Sequence, residues 1–132
     1  TKPLISSHTN VFGLCPHSYN MTNDQLKALA ARGGVIGIIP YHGLLDTDPG
    51  KENIDRMVDH ILYAADLVGI DSVGIGSDFD GGSNLAEIPD GARLVNITRT
   101  MLARGLTEEE IRKIWGGNFL RVLKHTIDKP ER

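Results

Sequence analysis

The chain has 132 residues, 40% of them hydrophobic and 23% charged, which is typical of one globular domain able to bury a core. A net charge of −3 and a pI near 5.9 show no basic footprint for nucleic acid, so no nucleic-acid partner is predicted. No apolar run approaches the roughly 20 residues that a membrane span needs.

The first residue of the sequence and its single cysteine give expectations about processing and location. The sequence opens at Thr1 with neither an initiator methionine nor a signal-peptide pattern, as expected of a processed product or of part of a longer one. Cys15 is the single cysteine, which excludes an internal disulfide framework and fits a reducing compartment. We therefore predict a cytoplasmic location.

The first part of the chain predicts two strands separated by a helix. A short strand over residues 3–8 turns polar at its end and leads into a loop. Thr22 and Gln25 have the spacing of a capping box, which starts a helix. Residues 35–39 are apolar on both faces, as in a parallel strand that is covered on both sides.

The clearest predicted helix follows and ends near Gly69. Its apolar residues recur with helical periodicity, at Ile54, Met57, Val58, Ile61, Leu62 and Ala65. His60 falls between these positions, so we expect it at the helix surface or at its boundary. A third strand is predicted over residues 73–77, where Gly74 and Gly76 leave one face open to close backbone approach.

The last part of the chain predicts helices only. One spans residues 91–104, and another begins at the capping box of Thr107 and Glu110. Gly116 and Gly117 interrupt it, and Asn118 is expected to cap the final segment. The order β-α-β-α-β-α-α predicts an α/β fold with parallel strands and right-handed crossovers.

A sheet of three strands leaves two strands at its edges, although all three look apolar on both faces. The chain is therefore expected to be either a piece of a larger α/β barrel or a module that completes itself as a homo-oligomer. The sequence leaves both alternatives open.

Polar residues follow the predicted strands at one end of the sheet, where parallel α/β folds place their chemistry. His8 has the chemistry of a metal ligand, or equally of a hydrogen-bonded histidine at a strand end. Asp78 has the chemistry of a metal ligand or a general base, and the alternative is a cap for the following turn. Cys15 lacks a partner in the sequence and is interpreted as a packing residue.

Several motifs, taken in order, resemble the C-terminal part of the membrane dipeptidase (renal dipeptidase) family of zinc metallopeptidases. They are Ser7-His8-Thr9-Asn10, the loop containing Asn20, Gly33-Gly34-Val35-Ile36, Gly76-Ser77-Asp78-Phe79-Asp80-Gly81 and Gly117-Asn118-Phe119-Leu120-Arg121-Val122. The resemblance covers essentially the whole chain, residues 1–132, and implies the last three β/α units of a (β/α)8 TIM-type barrel whose N-terminal strands are missing.

The resemblance also implies a chemistry and roles for residues. It implies two zinc ions that activate a bridging water to hydrolyse a dipeptide substrate. His8 matches a zinc ligand, and Asp78 matches the aspartate that carries the proton to the leaving group. Asn20 matches an asparagine beside the substrate.

The sequence departs from the family pattern in two ways. Tyr19 stands where the family often has an arginine that pairs with the substrate carboxylate, so this position supplies a hydrogen bond without charge. The remaining zinc ligands of the family come from earlier strands. We therefore expect a metallo-dipeptidase in the complete barrel and an inactive isolated chain. The alternatives are a non-catalytic truncated barrel that folds by oligomerising, and an unrelated α/β domain with an anion site.

Overall fold

The computed structural model describes residues 2–81 and 85–127. Its strands are β1 (Ile5–Thr9), β2 (Val35–Ile38) and β3 (Val73–Ile75). Its helices are α1 (Asn23–Ala31), α2 (His42–Leu45), α3 (Ile54–Val68), α4 (Val95–Ala103), α5 (Glu108–Arg112) and α6 (Asn118–Ile127). Within these residues no helix is long and apolar enough to cross a membrane.

The three strands form one parallel sheet in the order β1-β2-β3, which confirms the predicted parallel arrangement. The third strand ends two residues before the predicted Ser77, because the chain turns into the left-handed region at Asp78, where φ is 46°. The short helix α2 was not predicted from the sequence. Both capping boxes, at Thr22 and at Thr107, are confirmed.

A β-bulge interrupts the pairing of β1 with β2. Ser6 lies opposite Ile36 and Thr9 opposite Ile38, so that Ser7 and His8 together face one residue of β2, Gly37. A bulge of this kind bends the strand and redirects the side chains that it carries. It therefore determines where His8 points.

Glycines lie beneath this bulge. A Cβ atom on Gly37 or on Gly76 would collide with the carbonyl oxygen of Ser7, and one on Gly74 would collide with the ring of Phe119. The predicted close approach to the glycine face of the third strand is confirmed. The approaching groups are the backbone of β1 and an aromatic ring of α6.

The core lies between the sheet and the helices. Ile36, Ile38 and Val73 of the sheet are fully buried, together with side chains of α1, α3 and α4. Cys15 is also buried, and burial raises the pKa of its thiol, which fits the predicted packing role.

The expectation that Asn118 caps the final helix is wrong. Asn118 lies in the helical region, and its Nδ2 donates to the carbonyl oxygens of Ile70 (2.8 Å) and Val73 (2.7 Å). The break before α6 is a single π-type turn over Lys113–Gly117. Asn118 therefore joins α6 to the start of β3 instead of capping the N-terminus of its own helix.

The expectation for His60 is also wrong, because its side chain is fully buried. Its Nδ1 accepts a hydrogen bond from the Val11 N–H (3.0 Å), and its Nε2 therefore carries the proton and donates to the carbonyl of Leu45 (2.9 Å). Burial, the largest cause, lowers the pKa of His60 from 6.5 to about 4. The hydrophobic periodicity of the helix alone could not reveal this burial, because a polar residue beside an apolar stripe can be either buried or exposed.

Gly76→Ala should destabilise the protein by about 2 kcal/mol, because the added methyl group collides with main-chain atoms that cannot rotate away. Gly91→Ala is the matched control, since a Cβ atom there meets no atom within 4 Å. Urea unfolding of both variants measures the difference. Equal stabilities would contradict the close approach of Ser7 to Gly76.

His60 should make the stability depend on pH. Because the folded protein holds the pKa of His60 near 4 and the unfolded chain has it near 6.5, the unfolded state binds more protons between these values. Stability from this group is complete above about pH 6.5 and is lost as the pH falls towards 4. The loss between pH 7 and pH 5 should be about 2 kcal/mol.

Urea unfolding at pH 7 and pH 5 tests this pH dependence in the wild type and in His60→Asn. The variant should lack that 2 kcal/mol part of the pH dependence, whereas His125→Asn, on the exposed surface of α6, should retain it. Identical pH dependence in the wild type and His60→Asn would contradict the assignment.

Candidate active site

A cavity of about 400 Å³ opens at the carboxyl ends of the strands. Its polar lining includes His8 from β1 and Asp78 from the turn after β3, and Ile39 and Leu44 form its apolar part. This is the edge of a parallel sheet at which functional groups gather. The structure therefore brings together the strand-end residues that the sequence placed at one end of the sheet.

His8 and Asp78 form the polar centre of this cavity. The Nε2 atom of His8 lies 4.0 Å from Oδ2 of Asp78, and both side chains are about half exposed, at 54% and 41%. A hydrogen bond of 2.7 Å joins Nδ1 of His8 to the hydroxyl of Ser7. Since Nδ1 has this partner, the imidazole is oriented with Nε2 towards the cavity.

Asp78 is placed by its own strained backbone and by a glycine. Its φ of 46° is unusual for a residue other than glycine, and such strain is concentrated at functional sites. Its main-chain carbonyl accepts the N–H of Gly81 (2.9 Å), which closes the turn over Phe79–Gly81. A Cβ atom on Gly81 would collide with the Asp78 carboxylate, so the glycine leaves the room that this carboxylate occupies.

Tyr19 and His17 form one side of the cavity. Tyr19 is 77% exposed, while its main chain is held by two hydrogen bonds. Its carbonyl accepts from the Thr9 hydroxyl (2.6 Å), and its N–H donates to Nδ1 of His17 (3.2 Å). The phenol is therefore free to contact a ligand, and none of the described residues that line the cavity is a lysine or an arginine.

Asn20 lies behind this side and does not line the cavity. Its Nδ2 donates to the carbonyls of Cys15 and Leu44, both at 2.9 Å, and its Oδ1 accepts from the Asn10 N–H at 3.2 Å. The amide is thus fully used within the protein. Its contact with a substrate stays a prediction.

Sequence reasoning missed the one-turn helix α2 and the contribution of Leu44 to the cavity. Tyr41, directly before α2, and Leu44, within it, line the cavity, and the ring of Tyr41 packs on that of His42 at 4.9 Å. Pro40 and Gly43, which follow the apolar run 35–39, indicate only that the strand ends there. The signal that could have found it is the spacing of Leu44 and Leu45, two apolar residues in an otherwise polar loop.

A metal ion fits this site only in part. His8 offers an oriented imidazole nitrogen beside a carboxylate, which are ligand types that zinc accepts. Among residues 2–81 and 85–127, however, no group of three or more histidine, cysteine, aspartate or glutamate side chains is arranged to hold a metal. Further ligands would have to come from outside the described residues.

Comparisons with known proteins agree with this geometry. The model of the membrane dipeptidase family (peptidase family M19) matches residues 1–131. The chain is 40% identical to the dipeptidase ataJ of Aspergillus terreus over 131 residues, covering 96% of this chain and 31% of the relative. It is 36% identical to the dipeptidase tcpJ of Claviceps purpurea over 127 residues, covering 96% of this chain and 30% of the relative.

A solved structure shows the same fold. It is a metallo peptidase from Rhodobacter sphaeroides liganded with a phosphinate mimic of the dipeptide L-Ala-D-Ala, with a TM-score of 0.87 and 29% identity. The match covers 95% of this chain and 36% of that one, and it confirms the predicted fold class of β/α units of the TIM-barrel type.

The chain spans about a third of the length of these curated relatives. The family model nevertheless matches almost all of it, and the strand-end cavity with His8 and Asp78 lies in the matched region. This chain therefore belongs to the membrane dipeptidase family, peptidase family M19.

Proposed function

We propose that this chain supplies one part of the active site of a zinc-dependent dipeptidase and that the rest of the barrel supplies the other. Dipeptide hydrolysis is the activity at the level of the family. The observation that supports the proposal is the approach of His8 Nε2 to Asp78 Oδ2, 4.0 Å apart in the cavity at the strand ends. With only these two groups present, the isolated chain should be inactive.

His8 would hold a metal ion through Nε2, because Nδ1 is already hydrogen-bonded to Ser7. Metal ions are implied by the metallopeptidases of the family, and zinc, two per complete site, is our assignment. When bound, zinc polarises a carbonyl group and makes water a nucleophile at neutral pH.

Asp78 would move the proton that hydrolysis requires. The attacking water loses a proton, and the amine that leaves must gain one. The Oδ2 atom of Asp78 faces the cavity and is partly exposed, so it can take the proton and return it to the amine. The glycine at position 81 leaves this carboxylate its space.

Tyr19 would contact the substrate directly, whereas Asn20 would support the loop that carries it. The exposed phenol can donate one hydrogen bond to the substrate carboxylate but supplies no charge. Isoleucine and leucine side chains at positions 39 and 44 would contact apolar parts of the dipeptide.

A second candidate function is a non-catalytic module that completes its sheet as a homo-oligomer. The supporting observation is an apolar groove of about 540 Å³ beside the edge strand β1, lined by residues 3–5 at the start of β1 and by side chains of α6. Leu4, Ile5 and Leu123 are each about half exposed there. In the dipeptidase proposal, preceding strands of the barrel cover this groove, whereas in the alternative a second copy covers it.

Substitutions at the two central residues separate their proposed roles. In the complete gene product, His8→Ala should lower the bound zinc and kcat together, because a ligand is lost. Asp78→Asn should retain the zinc and lower kcat by about 10²- to 10⁴-fold, because proton transfer is lost. Elemental analysis and steady-state hydrolysis of Ala-Ala measure both quantities.

His125→Ala, at the exposed surface of α6, is the matched histidine control and should change neither quantity. Full activity and zinc content in His8→Ala would rule out the metal assignment. A folded multimer without metal-dependent hydrolysis in the wild type would favour the non-catalytic module.

Tyr19→Arg should increase the preference for a free substrate carboxylate. Hydrogen bonds to charged groups contribute about 1.5–3 kcal/mol, so the ratio of kcat/KM for Ala-Ala to that for its C-terminal amide should rise about tenfold or more. Tyr19→Phe, which removes only the hydroxyl, is the control for loss of the phenol hydrogen bond to the substrate. An unchanged ratio in Tyr19→Arg would show that the phenol does not face the substrate carboxylate.

A further inference from the structure

One wall of the cavity consists of residues 39–45, which we call the Ile39–Leu45 wall. Ile39, Tyr41 and Leu44 of this wall line the cavity. Its helix α2 has only four residues, too few to be stable by itself. The position of the wall must therefore be set by groups elsewhere in the protein.

Asn10 holds both ends of this wall. Its Oδ1 accepts from the Ile39 N–H (3.1 Å), and its Nδ2 donates to the Ile39 carbonyl (3.0 Å). The same Nδ2 reaches the Leu44 carbonyl (3.2 Å). One side chain at the exit of β1 thus fixes the beginning and the end of the segment that leaves β2.

Asn20 and His60 hold the end of α2 from two other elements. Asn20 donates to the Leu44 carbonyl (2.9 Å), and His60, from α3, donates to the Leu45 carbonyl (2.9 Å). Asn20 also accepts from the Asn10 N–H, and His60 from the Val11 N–H. These bonds satisfy carbonyls that the end of a helix leaves without partners.

The three side chains are almost completely inaccessible, with exposures of 0% for Asn10, 4% for Asn20 and 0% for His60. Burying such polar groups costs free energy unless every one is hydrogen-bonded, as these are. Apolar residues would fill the same space, but they would not fix the direction of the main chain. The three polar side chains therefore specify one main-chain geometry for the wall.

We propose that Asn10, Asn20 and His60 are positioning residues, which hold the Ile39–Leu45 wall in the form that receives the substrate. In this role they act through the main chain of the wall and need not touch the substrate. The inference rests on the proposed dipeptidase function for its consequence in catalysis. The structural part of the inference, that these three residues fix the position of the wall, does not depend on that function.

Two amide substitutions of His60 in the complete gene product each retain one of its two hydrogen bonds and remove the other. His60→Gln places an amide near the former Nε2, so the donor to Leu45 remains while the acceptor for Val11 is lost. His60→Asn places an amide near Nδ1 and has the reverse effect. Arg56 also donates to the Leu45 carbonyl (3.2 Å), so the loss of one donor weakens the bonding without removing it entirely.

The readouts are amide hydrogen exchange in the peptide 39–45, by mass spectrometry, and kcat/KM for Ala-Ala. His60→Asn should accelerate exchange in the wall at least fivefold and lower kcat/KM at least fivefold. His60→Gln should change each by less than threefold. Asn20→Asp, which keeps the acceptor for Asn10 but removes the donor to Leu44 and Cys15, is a second variant and should behave like His60→Asn.

Met101→Ala is the control for general destabilisation, because Met101 is a fully buried residue of α4 that does not line the cavity. It should lower the melting temperature while leaving exchange in the wall and kcat/KM within threefold. Equal effects of the two His60 variants, or a wall that responds to Met101→Ala as it does to His60→Asn, would overturn the proposal. Wild-type protein without hydrolysis would reject the proposed function, and the exchange results would still decide the role in positioning.

Discussion

The contact on which the site depends is that of the Ser7 carbonyl with the bare backbones of Gly37 and Gly76. Without side chains at these two positions, the bulged part of β1 can lie close over β2 and the end of β3. The bulge brings His8 to the same cavity as Asp78, although β1 and β3 are not neighbours in the sheet. The distance between these two side chains is therefore set by main-chain packing.

The opposite end of the sheet is held by a separate set of residues. Arg121 donates to the carbonyls of Gly33 (2.8 Å) and Asp71 (2.7 Å), which precede β2 and β3. Phe119 lies against Gly74, and Asn118 bonds to the carbonyl of Val73. The C-terminal motif that contributed to the family resemblance thus maintains the fold, whereas the motifs of His8 and Asp78 line the cavity. This division between the two ends of the strands is general in α/β barrels.

The structural features that depend on repeated or local sequence patterns could be predicted from the sequence. The parallel strands, the two capping boxes and the approach to the glycines of β3 follow from apolar runs, a three-residue spacing and missing side chains, in that order. The roles of Asn118 and His60 could not be predicted in the same way. Their partners lie 45 to 49 positions away in the chain, at Val73 and Val11, so that only the tertiary fold reveals which backbone groups require them. The one-turn helix α2 was missed for the same reason, since its stability comes from distant side chains.

In the proposed barrel, completion of the sheet and completion of the site are one event. His8 belongs to β1, and Asp78 follows β3, and these are the two edge strands of the described sheet. Any strand that pairs in parallel with either edge places its own carboxyl end beside the cavity. Unpaired edges also expose main-chain donors and acceptors, together with the apolar side chains of Leu4 and Ile5. The same pairing that buries these groups would therefore bring further ligands towards His8, so that folding of the barrel and assembly of its metal site depend on each other.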